Sequence, residues 1–176
     1  MKMHRCRICG ETYLGTEVPS HCPFCGAHRE SIVETSEYPP GVNDVRLTEV
    51  ERSDLEAAVE LERSNTRFYL GMSTHKDNDA LASAYKRLSR VESEHCSLFC
   101  KLLRRPKPDD LAEPGETTGT WAGDIEESVR RERRAAALYA EFAERATSER
   151  LREVFAAVAE VERDHIELDA EAKRYV

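Results

Sequence analysis

The sequence predicts a mostly α protein: a four-helix bundle preceded by a small module built around four cysteines. Three observations predict it. Two Cys-x-x-Cys pairs fall within the first 33 residues, a helical period begins near Thr48, and the chain from there on resembles itself at an offset of 70 residues.

Composition agrees with a globular chain. Of 176 residues 40% are apolar, 34% charged and 7% aromatic, the mixture of a protein whose charges occupy helix surfaces. The net charge of −8, from 26 basic and 34 acidic residues, includes no basic run beside aromatics, so nucleic acid is not an expected partner. The opening Met1 to Cys6 lacks an apolar stretch of signal-peptide length, and no segment approaches the roughly 20 apolar residues of a membrane span. A cytoplasmic protein without a membrane partner is expected. In a reducing compartment, paired Cys-x-x-Cys motifs favour a metal over disulfides.

The first domain is placed at residues 1–36. Its Gly and Pro content and lack of helical period suit a metal-stapled module, because so short a chain cannot bury enough apolar surface unaided. Residues 37–46, with Tyr38-Pro39-Pro40-Gly41 near their start, can continue neither a helix nor a paired strand and form the linker. The bundle is placed at residues 47–176. Thr48 followed by Glu51 reads as a capping box opening a helix from about Thr48 to Ser73. A polar break at 74–78 leads to a second helix from about Asp79 to Arg104. Residues 106–123, with three prolines and three glycines, are too irregular for a helix and too long for a hairpin turn, so they form a crossover. A third helix is expected near Asp124 and a fourth near Ser148. Two helical hairpins joined by one long crossover is the topology of ferritin-like bundles.

The internal repeat locates a site. Glu62 and Glu132 are each followed seven residues on by a tyrosine, Tyr69 and Tyr139, and thirty residues on by Glu-x-x-His, namely Glu92 with His95 and Glu162 with His165. At about 100° per residue, Glu62 falls in the apolar stripe of Leu55, Val59, Tyr69 and Met72, whereas Glu56, Glu60 and Arg63 fall on flanking or opposite faces. Glu162 and His165 share a face with Leu151, Val154, Phe155 and Val158. Four carboxylates and two imidazoles are thus aimed into one apolar core, where uncompensated charge is very costly. Two divalent cations would cancel the four carboxylates, and Glu-x-x-His at i and i+3 lets one helix offer an oxygen and a nitrogen to one metal.

With these residues in view, the chain resembles the rubrerythrin family in a reversed domain order. The resemblance implies that Glu62, Glu92, His95, Glu132, Glu162 and His165 ligate a di-iron centre, with manganese or a mixed pair as the alternatives, and that the hydroxyls of Tyr69 and Tyr139 bond ligand carboxylates. It likens Cys6-x-x-Cys9-Gly10 and Cys22-x-x-Cys25-Gly26, twelve residues apart, to the two metal loops of a rubredoxin-like domain holding one iron. Four thiolates suit iron or zinc, and iron has a use beside a di-iron bundle. Rubrerythrins usually place another Glu one turn after the third-helix ligand; here that position is Ala135, and its mate in the repeat is Asn65, leaving a ligand set like that of bacterioferritin sites. Cys96 and Cys100, four apart on the second helix, are read as packing residues, with a redox role as the alternative. His4, His21 and His28 lie near the cysteine module and are not needed once four thiolates are present, and His75 is placed at the end of the first helix.

The resemblance implies an oxidoreductase of the peroxidase type. Hydrogen peroxide would be reduced to water at the di-iron site, and electrons from a reductase or another rubredoxin would pass through the four-cysteine iron. A homodimer is expected in which one subunit's cysteine centre lies near its partner's di-iron site. The rival readings are a ferroxidase that handles iron with dioxygen and a non-enzymatic zinc-ribbon protein.

Overall fold

A computed structural model describes all residues 1–176. The amino-terminal module is a three-stranded antiparallel sheet in the order β2-β1-β3, with β1 at Lys2–Cys6, β2 at Thr12–Gly15 and β3 at Ile32–Glu34. Its core consists of Cys6, Ile8, Cys9, Cys22, Cys25, Ala27 and Ile32, all buried. Four of those seven are cysteines, so little else stabilises this unit.

Four helices follow: α1 at Glu49–Met72, α2 at Asp79–Leu103, α3 at Trp121–Arg145 and α4 at Glu149–Ala172. They pair as the hairpins α1–α2 and α3–α4. This is a ferritin-like bundle carrying a rubredoxin-like module. Each start has a cap: the hydroxyls of Thr48, Thr120 and Ser148 and the amide oxygen of Asn78 accept backbone N–H groups of the first turn. The capping box expected at Thr48 is present in both directions. Its Glu51 does more than cap, since the other carboxylate oxygen accepts from the N–H groups of Thr147 and Ser148 and thereby ties the α3–α4 turn to the start of α1. These bonds outweigh the desolvation of Glu51 and hold its carboxyl down to about 2.

The third helix begins three residues earlier than expected, at Trp121. Thr120 supplies the cap, and Asp124, read from the sequence as the start, sits in the first turn where it accepts from the Thr118 N–H and hydroxyl. The crossover lies flat on α1. Gly115 donates its N–H to the Arg67 carbonyl at 2.7 Å, and a Cβ on Gly71 would come within 2.3 Å of the Gly115 carbonyl oxygen. Asp110 completes the attachment by accepting from Arg63 and Arg67.

Aromatic residues fill the bundle on both sides of its middle. Phe99, Tyr139, Phe142 and Phe155 cluster on one side, while Phe68, Tyr69, Tyr85 and Trp121 cluster on the other. Between the clusters lie the buried carboxylates and imidazoles. The expected helical phases hold: Glu62 is fully buried, and Glu56 and Glu60 are exposed.

Candidate metal centres

The repeat on two hairpins brings six polar side chains to the bundle axis. Glu62, Glu92, Glu132 and Glu162 are 0% exposed, as is His95, and His165 is 7% exposed. Glu62, Glu92, His95 and Glu162 present donor atoms within 4.8 Å of one another, and so do Glu92, Glu132, Glu162 and His165. Glu92 and Glu162 belong to both groups, as carboxylates that bridge two cations would. His95 Nδ1 lies 3.4 Å from Glu92 and 3.3 Å from Glu162. His165 Nδ1 lies 3.0 Å from Glu92, 3.4 Å from Glu132 and 3.3 Å from Glu162. Donors on one cation at bond lengths of about 2.1 Å sit roughly 3.0–3.4 Å apart.

The unpaired atoms make the same point. Both oxygens of Glu92 and of Glu162, one each of Glu62 and Glu132, and Nδ1 of both histidines are buried without a hydrogen-bond partner. A buried polar atom without a partner is rare and costly, and eight facing one another require a shared cation or protons. Protons are what the isolated site demands. Desolvation, with Glu92 next to one and Glu162 next to the other, pushes Glu62 and Glu132 well above the usual carboxylate range. Burial alone would lower His95, yet its contacts with Glu162 and Glu92 carry it up to about 10. Cations entering here would displace these protons.

The tyrosines cross the bundle. Tyr69 on α1 donates to Glu132 on α3, and Tyr139 on α3 donates to Glu62 on α1. Burial and the adjacent carboxylates raise both phenols well above their ordinary value, so each keeps its proton and orients its carboxylate. Ala135 is fully buried with no carboxylate at its position, and Asn65 accepts from Arg131 at 3.3 Å. Cys96 and Cys100 are buried in the apolar core away from the carboxylates, and burial pushes Cys96 up to about 12, as suits an inert thiol.

In the module, Cys6 and Cys25 sulphurs are 3.7 Å apart, and Cys9 and Cys22 sulphurs 3.8 Å. These are the edges of a tetrahedron whose metal–sulphur bonds are about 2.3 Å, and they are far from the roughly 2.05 Å of a disulfide.

Sequence alone did not show how the two centres meet. His95 Nε2 donates to the Cys25 carbonyl at 2.8 Å, and a carbonyl can only accept, so Nδ1 is the nitrogen left to face the carboxylates. The loop carrying Cys25 lies tight against α4: Gly26 has φ +76°, and a Cβ there would fall 2.7 Å from Val161 Cγ1. Lys101 donates to the Cys9 carbonyl, Arg150 to the Ile8 carbonyl, and His28 Nε2 lies 2.6 Å from Asp164 Oδ2. All of these contacts form within one chain.

Fold and site define a two-centre metal-binding protein: a four-thiolate cluster and a carboxylate–imidazole cluster, both fitting iron, bridged by one hydrogen bond. A family model described as "Rubrerythrin, rubredoxin-like domain" matches residues 4–32. The chain is also 33% identical over 113 residues to Reverse rubrerythrin-1 of Clostridium acetobutylicum, a match covering 58% of this chain and 62% of that protein. The chain therefore spans less than two thirds of that relative's length. No solved structure gives a significant match. A cysteine module ahead of a four-helix bundle is consistent with both likenesses. No helix is long and apolar enough to cross a membrane.

Proposed function

We propose that the chain is a peroxidase that reduces hydrogen peroxide to water at a di-iron site, with electrons arriving through the four-cysteine iron. The observation that carries this reading is the hydrogen bond from His95 to the Cys25 carbonyl, because it joins an outer-sphere atom of one centre directly to an imidazole of the other. A purely structural zinc module would have no need of that contact. Iron held in both places would supply the two electrons that the O–O bond takes up as H2O2 + 2e− + 2H+ becomes 2H2O.

The chain's own residues then have separate tasks. Glu92 and Glu162 face both cation positions, Glu62 with His95 and Glu132 with His165 complete the two ends, and no fixed positive side chain lies among them. Tyr69 and Tyr139 hold protons at Glu132 and Glu62, carboxylates that would hold the metals. The aromatic clusters on either side keep bulk water out, which strengthens every charge interaction inside. A reductase or a separate rubredoxin would feed the cysteine centre, and a reducing compartment such as the cytoplasm suits thiolates of this kind.

Stopped-flow mixing of the fully reduced protein with peroxide tests the reading. The four-cysteine absorbance should return with two electrons consumed per peroxide, faster than with dioxygen. The missing carboxylate at Ala135 favours a second reading, ferroxidation for iron handling, which predicts faster consumption of dioxygen and accumulation of ferric iron beyond three ions per chain. A colourless protein holding zinc on its cysteines would exclude electron delivery through that centre, and with it the first reading.

A further inference from the structure

Outside the two centres, one more cluster of ligand atoms spans the joint between module and bundle. His21 and His28 face each other across an antiparallel bridge that closes the second cysteine loop, their rings 5.0 Å apart and nearly perpendicular. Both present Nε2 to the same oxygen of α4: Asp164 Oδ2 lies 2.6 Å from His28 Nε2 and 3.6 Å from His21 Nε2. The three donors lie within 4.8 Å of one another.

The outer nitrogen of His21 is held by a hydrogen bond, as those of metal-bound histidines commonly are, and that of His28 faces two carboxylates at longer range. His21 Nδ1 bonds the Ser20 hydroxyl at 3.1 Å, and His28 Nδ1 faces Glu30 at 3.8 Å and Glu160 at 3.9 Å. An ion pair alone would explain His28 and Asp164. It does not explain why His21, too far for a hydrogen bond to Asp164, aims the same nitrogen at the same oxygen with its other nitrogen held. Two imidazoles and one carboxylate, with a fourth position open to water, is the donor set of exchangeable zinc-type sites. Side-chain exposures of 52%, 33% and 38% for His21, His28 and Asp164 leave that position reachable.

We infer that His21, His28 and Asp164 form a third metal site, an exchangeable one for a zinc-like divalent cation, which rivets the second cysteine loop to α4. Donors on a cation at about 2.1 Å sit roughly 3.4 Å apart, so small rotamer changes convert the observed geometry into a bound one. Because Cys22 and Cys25 belong to the riveted loop, and Glu162 and His165 to the adjacent turn of α4, occupancy would fix the approach of the two redox centres.

The test uses the full-length protein with iron in its other sites, titrated with Zn2+ in competition with a chromophoric chelator while iron is counted in the same samples. One zinc per chain should bind with iron content and visible spectrum unchanged. His21→Ala and His28→Ala should each weaken that zinc at least tenfold. His21→Ala is the sharper variant, since His21 makes no hydrogen bond to α4 and its loss should not undock the module. Zinc that binds only as iron leaves, no zinc bound beyond the iron, or an unchanged affinity in His21→Ala would each overturn the site.

Discussion

The two helical hairpins of the bundle carry the same ligands but not the same surroundings. His95 of the α1–α2 hairpin is sealed off, its outer nitrogen held by the Cys25 carbonyl of the module. His165 of the α3–α4 hairpin is 7% exposed, and its outer nitrogen has no protein partner. The inner halves of the site are near-equivalents: each His faces Glu92 and Glu162, and each hairpin lends a tyrosine to the other's glutamate. Duplication explains the inside of the site. Docking of one small module explains the difference outside it: one histidine is held by the cysteine loop and the other is not.

The comparison can be broken most drastically at a ligand. Glu132→Ala should remove one cation position, reduce peroxidase turnover on the order of 100-fold and lower bundle metal below two ions, whereas Glu60→Ala, on the exposed face, should do neither. Turnover with metal analysis of both variants checks this, and equal losses would refute the assignment of faces.

A subtler change attacks the docked end alone. Gly26→Ala forces a Cβ against Val161 at a positive φ, so the module must lift from α4. Re-reduction through the cysteine centre should slow by about tenfold or more, while the first oxidation of the reduced bundle by peroxide stays at its original rate. Single-turnover kinetics in both directions would read the split.

The inner equivalence predicts its own pair of results. Tyr69→Phe and Tyr139→Phe each remove one hydroxyl from one ligand carboxylate, and the activity losses, of order tenfold, should agree within a factor of a few. A large disparity would show that the module's influence reaches the inner site.

The smallest effect lies at the far tie between the hairpins. Glu51 has its carboxyl lowered to about 2 in the fold from an ordinary value of 4.5, so its contribution is fully present above 4.5 and is lost as pH falls toward 2. Glu51→Gln should cost about 1–2 kcal/mol at neutral pH and remove part of the acid sensitivity of unfolding between those values, measured by denaturant titration across pH.

Much of this was legible in the chain itself. The repeat, the phase of Glu62 and the Glu-x-x-His pairs are local, periodic signals, and burial of charge leaves few ways to satisfy them. The third helix was expected near Asp124 and starts at Trp121, because Thr120 supplies the capping hydroxyl and Asp124 serves the preceding loop. The bond from Cys25 to His95 was not legible at all. It joins residues 70 apart through a backbone carbonyl, an atom every residue has, so no side-chain pattern records it. The role of Asp164 was hidden for a similar reason, since its partner His28 lies 136 residues away.

We propose that the cysteine centre of a chain feeds the carboxylate site of that same chain, in place of the partner-to-partner arrangement that the resemblance implies. Mixing protomers tests it directly: Cys9→Ser chains, which lack a working cysteine centre, are combined by refolding or co-expression with Glu132→Ala chains, which lack a working bundle site, and peroxidase turnover is measured. Transfer within the chain predicts that the mixture is no more active than the sum of the two variants alone. Recovery of a substantial share of native turnover would mean that a partner's cysteine centre serves the site, and would contradict the account.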